Sequence, residues 1–270
     1  MKKLIELSCI LLICLIFYLP APGQSPEQAE KELVAHLKDV EKWLMEPVKD
    51  DESILQKDAN IKKDNAAIKK TLLKVTKQPS ALKYGFSELA KYMSISTSED
   101  GKFRIYSWDT AAGGTMHFYK NVYQYEGKGG RIFSKIDDSS DNAPSGFYSD
   151  IFTMNTAGGP VYLARCTWIL SNPLAYQSIG LFRIANNLLD ANIRLIKTPK
   201  GMENSVGIEY DFFSVVDRKE RPLKLVLFDK LSRSIQVPVV VDDTKFPNGG
   251  RVTEKFDTYR FDGRYFVKVN

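Results

Sequence analysis

Acid–base chemistry in this chain would have to be built on His36 or His117, its two histidines, together with some of its 33 acidic residues. His117 follows Asp109 at a distance of eight residues, within KFRIYSWDTAAGGTMHFYKNVYQY, the stretch from Lys102 to Tyr125. A histidine held by a carboxylate is the base half of a nucleophilic triad when the two lie within hydrogen-bond reach. The pairing expected here keeps them apart. If Gly113 and Gly114 form a two-residue turn, a position that favours glycine, then Trp108 faces Tyr119, Tyr106 faces Asn121 and Ile105 faces Val122. Facing residues then differ in parity, which sets Asp109 and His117 on opposite faces of the sheet. No dyad is expected, and no catalytic residue is singled out. His36 reads as an exposed residue on an N-terminal helix.

Metal chemistry finds little to use. Two distant histidines and few cysteines do not make the usual zinc shell, so no metal site is expected. The acidic run Asp137, Asp138, Ser139, Ser140, Asp141, Asn142 places Asn142 sixth and Tyr148 twelfth, where a calcium-binding EF-hand loop needs glycine and glutamate. It reads as a solvated turn. Cys166 stands between Arg165 and Thr167 without a base or cation to make a thiolate, and reads as a small buried side chain. The Gly-Gly pairs lack the Lys-Ser/Thr signature of a phosphate loop, so no cofactor is expected. Glycoside hydrolysis would need two converging carboxylates, and spacing marks out no such pair.

What remains is a belt of rings. In the expected hairpin one face carries Phe103, Ile105, Met116, Phe118 and Val122, the core side. The other carries Arg104, Tyr106, Trp108, His117, Tyr119, Asn121, Tyr123 and Tyr125. The candidate ligand-binding residues are therefore Tyr106, Trp108, His117, Tyr119, Tyr123 and Tyr125. Left open, such a face stacks on sugar rings or on an apolar partner surface. Under a second layer it is ordinary core, which is the commoner fate of aromatic residues.

The elements that must position these residues divide the chain. Met1-Lys2-Lys3, an apolar run from Leu7 to Leu19 and Pro20-Ala21-Pro22-Gly23 have the grammar of a signal peptide over residues 1–23. At about thirteen residues the run is short of the roughly 20 a membrane span needs, so no stable span is expected after cleavage. Export would leave Cys166 as the single cysteine, excluding an intramolecular disulfide. The expected location is the periplasm or the extracellular space. Residues 24–93 read as a helical segment. Ser25, Pro26 and Gln28 make a capping box, with Leu33, Leu37, Val40 and Leu44 on one stripe and Glu46-Pro47 at the end. A second helix is expected over 52–76, in which Lys62-Lys63-Asp64 reads as a solvated face. A third begins at Pro79-Ser80 and carries Leu82, Phe86, Leu89 and Met93.

From Ser94 the helical period gives way to alternation, and residues 94–270 read as a mainly antiparallel β-rich domain, because parallel strands need long crossovers. The fold expected is α+β, with the strands in a sandwich or barrel and a propeller-like arrangement as the alternative. Asp262-Gly263 marks a closing hairpin in which Tyr259 opposes Phe266 and Asp257 opposes Lys268. The net charge of +5 is interleaved along the chain rather than gathered in a stripe, which argues against nucleic acid. In style, Arg104 to Gly114 resembles secreted bacterial proteins with no assigned activity, a likeness that implies no function. The expected function is non-catalytic binding of a glycan or an envelope protein. The alternatives are a carboxylate hydrolase and a structural or assembly component of the envelope.

Overall fold

The computed structural model describes residues 24–137 and 145–269. The expected signal peptide and most of the acidic loop lie outside the described residues. Helix α1 (Pro26–Met45) opens on the capping box read from the sequence: Ser25 Oγ accepts from Gln28 N, and Gln28 Oε1 accepts from Ser25 N. Helix α2 (Asp51–Val75) is capped in the same reciprocal way by Asp50 and Ser53. The expected third helix is shorter. α3 (Pro79–Lys83) stops before Gly85, and Phe86 takes a left-handed φ of 49°, so the apolar spacing continues through a bend. Phe86, Leu89 and Met93 are buried all the same.

The strands that follow are β1 (Ser94–Thr97), β2 (Phe103–Asp109), β3 (Tyr119–Glu126), β4 (Ile132–Ile136), β5 (Phe147–Thr156), β6 (Gly159–Ile169), β7 (Leu174–Ala185) and β8 (Leu188–Asp190). Then come β9 (Ile196–Thr198), β10 (Gly201–Glu203), β11 (Ser205–Asp211), β12 (Leu227–Asp229), β13 (Ser234–Val241), β14 (Arg251–Phe261) and β15 (Phe266–Lys268). They form three open sheets, ordered β1-β2-β3-β4, β11-β7-β6-β5 with β8 beside β7, and β10-β9-β15-β14-β13-β12. Among the described strands the pairing is antiparallel except between β9 and β15, and one isolated parallel bridge joins Phe118 to Ser145. The fold is α+β, and among the described residues the strands close no barrel.

The cores show how the sheets stack. Leu33, Leu37 and Val40 of α1 join Ile68, Leu72 and Val75 of α2 against Tyr106, Trp108 and Val122 on the first sheet. The reverse face of that sheet presents Phe103, Ile105, Tyr123 and Tyr125 to Tyr162, Ala164 and Phe182 of the second. The second sheet turns Val161, Leu163, Ile179 and Leu181 toward Ile196, Ile235, Val237 and Phe266 of the third. Helices, first sheet, second sheet and third sheet therefore follow in layers, and β2 and β6 are buried on both faces. Gln177, fully buried, ties the segment before β12 to the second sheet by accepting from Leu225 N and Val226 N and donating to Leu223 O.

Both hairpin registers differ from expectation. β2 and β3 pair Ile105 with Tyr123, Tyr106 with Val122, Trp108 with Lys120 and Asp109 with Tyr119, one residue away from the two-glycine turn. Residues 110–118 form a loop in which Ala111, not Gly113 or Gly114, takes the left-handed φ, at 57°. Gly113 is required for another reason, because a Cβ there would overlap the Met116 carbonyl. Since a slip of one residue exchanges faces, the expected core and belt are each split between two sides. At the C-terminus Phe261 pairs with Phe266 and Tyr259 with Lys268, a slip of two that leaves every side chain on its face. Asp262 Oδ1 accepts from Arg264 N and Tyr265 N and so widens the turn. Asp257 still reaches Lys268, at 2.8 Å, across the diagonal.

Candidate functional site

Helix α2 carries Lys57, Ile61, Asn65 and Lys69 at spacings of four, with Asp58, Lys62 and Ala66 alongside, a periodicity that gathers them on one face. Facing them are Trp108, the loop residues Thr110 to Gly113, and Lys120 at the start of β3; Leu44 from the end of α1 closes one side. Between these walls runs a cleft of about 670 Å³. That volume suits a small organic ligand.

Asn65 holds the cleft's two walls together. Its side-chain oxygen accepts from Trp108 Nε1 at 2.9 Å, and its amide donates to Thr110 O at 2.7 Å and Ile61 O at 3.0 Å. Thr110 in turn donates through its hydroxyl and its backbone to Phe118 O, and Asp109 Oδ1 accepts from Ala111 N, so the loop is braced from both ends. The indole lies beneath this clamp, only 1% exposed, as an apolar floor.

Charge gives the cleft its chemistry. Among the described lining residues four lysines, Lys57, Lys62, Lys69 and Lys120, accompany one carboxylate, Asp58. Lys62 and Lys69 are exposed, Lys57 is half-buried with its ammonium on Leu44 O at 2.9 Å, and Lys120 is buried with Asp137 at 3.9 Å. Like charges around a concave wall raise the local concentration of anions. Lys62-Lys63-Asp64, expected as a solvated face, is one only in part. Lys62 and Lys63 are exposed, but Asp64 is buried between α1 and α2.

The six candidate ligand-binding residues part company. Tyr106 and Trp108 point to the helices; Tyr106 is fully buried, donates to Gln124 Oε1 at 2.9 Å and meets Phe86 edge-on. Tyr119, Tyr123 and Tyr125 lie on the other face. Tyr123 packs on Phe103 and Phe182, and Tyr125 stacks on Phe133 while donating to Asn187 O at 3.2 Å. Tyr119 packs on Phe147, and burial, with the Asp109 carboxylate as a smaller cause, pushes its hydroxyl well above its ordinary range. These residues make no continuous open face, and Trp108 alone among the six lines the cleft.

His117 brings the second correction. In the observed register Asp109 pairs with Tyr119, so His117, two residues before it, shares Asp109's face, and Nδ1 lies 2.5 Å from Oδ2. The dyad excluded by the two-glycine turn therefore forms. Among the described residues the His117 side chain hydrogen-bonds to Asp109 alone, so no hydroxyl or thiol completes a triad. His36 also proves half-buried, with Nδ1 at 2.9 Å from Asp64 Oδ1. Cys166 is buried, and burial pushes its thiol up to about 12.

A second cavity, about 340 Å³, lies between Phe147, Ile169, Ala175, Tyr210 and Leu223. Its one charged residue, Arg221, turns its guanidinium onto the carbonyls of Val216, Arg218 and Glu220. Among the described residues no helix is long and apolar enough to cross a membrane. No protein-family model matches this chain, and no curated protein or solved structure matches it.

Proposed function

We propose that this protein is exported to the periplasm or the extracellular space and acts there by binding an anionic ligand with an apolar body in the cleft between α2 and the 110–118 loop. The observation that carries the reading is the pair of exposed lysines, Lys62 and Lys69, beside an apolar floor of Trp108, Ile61 and Ala111, with Asp58 the one acid among the described lining residues. The lysines select the charge, and the floor favours a hydrocarbon or ring over a bare inorganic ion. Of the glycans and envelope proteins expected as partners, an acidic one suits the charge.

This assigns recognition to lysines rather than to the aromatic set, of which Tyr106, Tyr123 and Tyr125 serve the packing between layers and His117 pairs with Asp109. Binding is favoured over hydrolysis at this site because a two-carboxylate mechanism needs a partner for Asp58, and the described lining residues include no other acid. The test uses two probes that share a ring. In amide chemical-shift titrations 2-naphthoate should perturb residues 57–69 and 110–120, whereas neutral 2-naphthalenemethanol should perturb them weakly. Equal response to both, or shifts located elsewhere, would contradict the assignment.

A further inference from the structure

We propose that His36, Asp39 and Asp64 form a binding site for a divalent transition-metal ion that joins α1 to α2. Each offers a donor atom, and these atoms all lie within 4.8 Å of one another. His36 and Asp39 are separated by three positions on α1, which puts them on one face, and Asp64 answers from α2. Inward-facing carboxylate and imidazole groups on neighbouring helices are a usual way of building metal sites in helical layers.

Two observations point to a cation. The Asp64 side chain is only 10% exposed, and His36 Nδ1 is its hydrogen-bond partner. Burial of the Asp64 carboxylate disfavours its charge, and a bound cation would compensate it more fully than the single hydrogen bond to His36 does. The spacing also fits. Two ligands held about 2.0 to 2.1 Å from a four-coordinate zinc ion lie about 3.3 Å apart, a small widening of the 2.9 Å at which Nδ1 and Oδ1 hydrogen-bond. Asp39 is exposed and can rotate to complete a three-donor face. Glu32, one turn before His36, is already engaged, accepting from Thr71 Oγ1 and Gln24 Nε2. The remaining position on the ion would be filled by water.

Imidazole beside carboxylate favours zinc, nickel or iron over calcium and magnesium, which prefer all-oxygen shells. The site is separate from the cleft and does not rest on the reading of its ligand. Its test is calorimetric titration of chelator-stripped protein with ZnCl2, in parallel with thermal unfolding. One equivalent of Zn²⁺ should bind and raise the melting temperature, and CaCl2 should do neither. Asp39→Asn changes an exposed residue and should leave metal-free stability alone while weakening Zn²⁺ binding at least about tenfold, with His36→Gln doing the same. His117→Gln should leave binding unchanged. Absence of saturable Zn²⁺ binding, binding that survives both Asp39→Asn and His36→Gln, or binding lost instead in His117→Gln would each overturn the proposal.

Discussion

Replacing Trp108 with alanine separates a buried floor from an exposed recognition surface. The side chain is 1% exposed, with α2 above it and the first sheet behind, so its removal leaves a cavity at a junction of layers. Truncation of a buried tryptophan costs about 3 to 5 kcal/mol. It also takes the donor from Asn65 Oδ1, and because Asn65 is half-buried that loss adds about 1 kcal/mol. The expected total is about 4 to 6 kcal/mol, a large part of the roughly 5 to 15 kcal/mol that holds an ordinary domain folded. Urea unfolding followed by far-UV circular dichroism reads this directly. With a slope of about 3 kcal/mol/M, the midpoint should fall by about 1.3 to 2 M. Trp108→Phe keeps most of the ring and loses the hydrogen bond, so it should cost about 1 to 2 kcal/mol. A loss below about 1 kcal/mol for Trp108→Ala would refute the layered packing of helices on β2.

Two further outcomes follow from the same packing. Because burial holds the Cys166 thiol protonated, up to about 12, against an ordinary value of about 8.5, its contribution to stability is intact below about pH 8.5 and is lost as pH rises toward 12. In a Cys9→Ser/Cys14→Ser variant, native protein at pH 8 should resist Ellman's reagent for hours and urea-unfolded protein should react at once; native reaction within minutes would contradict the burial of Cys166. Gly113→Ala sets a Cβ against the Met116 carbonyl and should destabilise the 110–118 loop by about 1 to 3 kcal/mol. Faster amide hydrogen exchange across that loop is the readout, and unchanged exchange would count against its described path.

Local chemistry was legible in the chain, and pairing across a loop was not. Ser25, Pro26 and Gln28 act within four residues of one another, so the start of α1 could be read directly. The change to alternation at Ser94 coincides with the first residue of β1. The β2–β3 register failed because Gly113-Gly114 looks like a turn, whereas Gly113 admits the Met116 carbonyl and Ala111 supplies the positive φ. Nothing local to Asp109 or Tyr119 encodes the length of loop between them, and an error of one residue exchanged the faces and hid the Asp109–His117 pair. At Asp262 the error was two, which preserves parity, and so Tyr259 and Phe261 remain in the core. The cleft was hidden for a different reason. Lys57, Lys62 and Lys69 have the spacing of any solvated helix face, and they become a site only when the hairpin loop and Lys120 are placed opposite them.

The central claim, that these lysines recognise an anion, is tested most directly by calorimetric affinity for 2-naphthoate in the native protein and in the Lys62→Glu/Lys69→Glu variant. Both side chains are exposed, so the variant should fold with native stability. Two charge reversals at the cleft should weaken binding by at least about tenfold, or about 1.4 kcal/mol, at low salt, and the difference should shrink as ionic strength rises. Affinity that is unchanged by the double reversal and insensitive to salt would contradict the account.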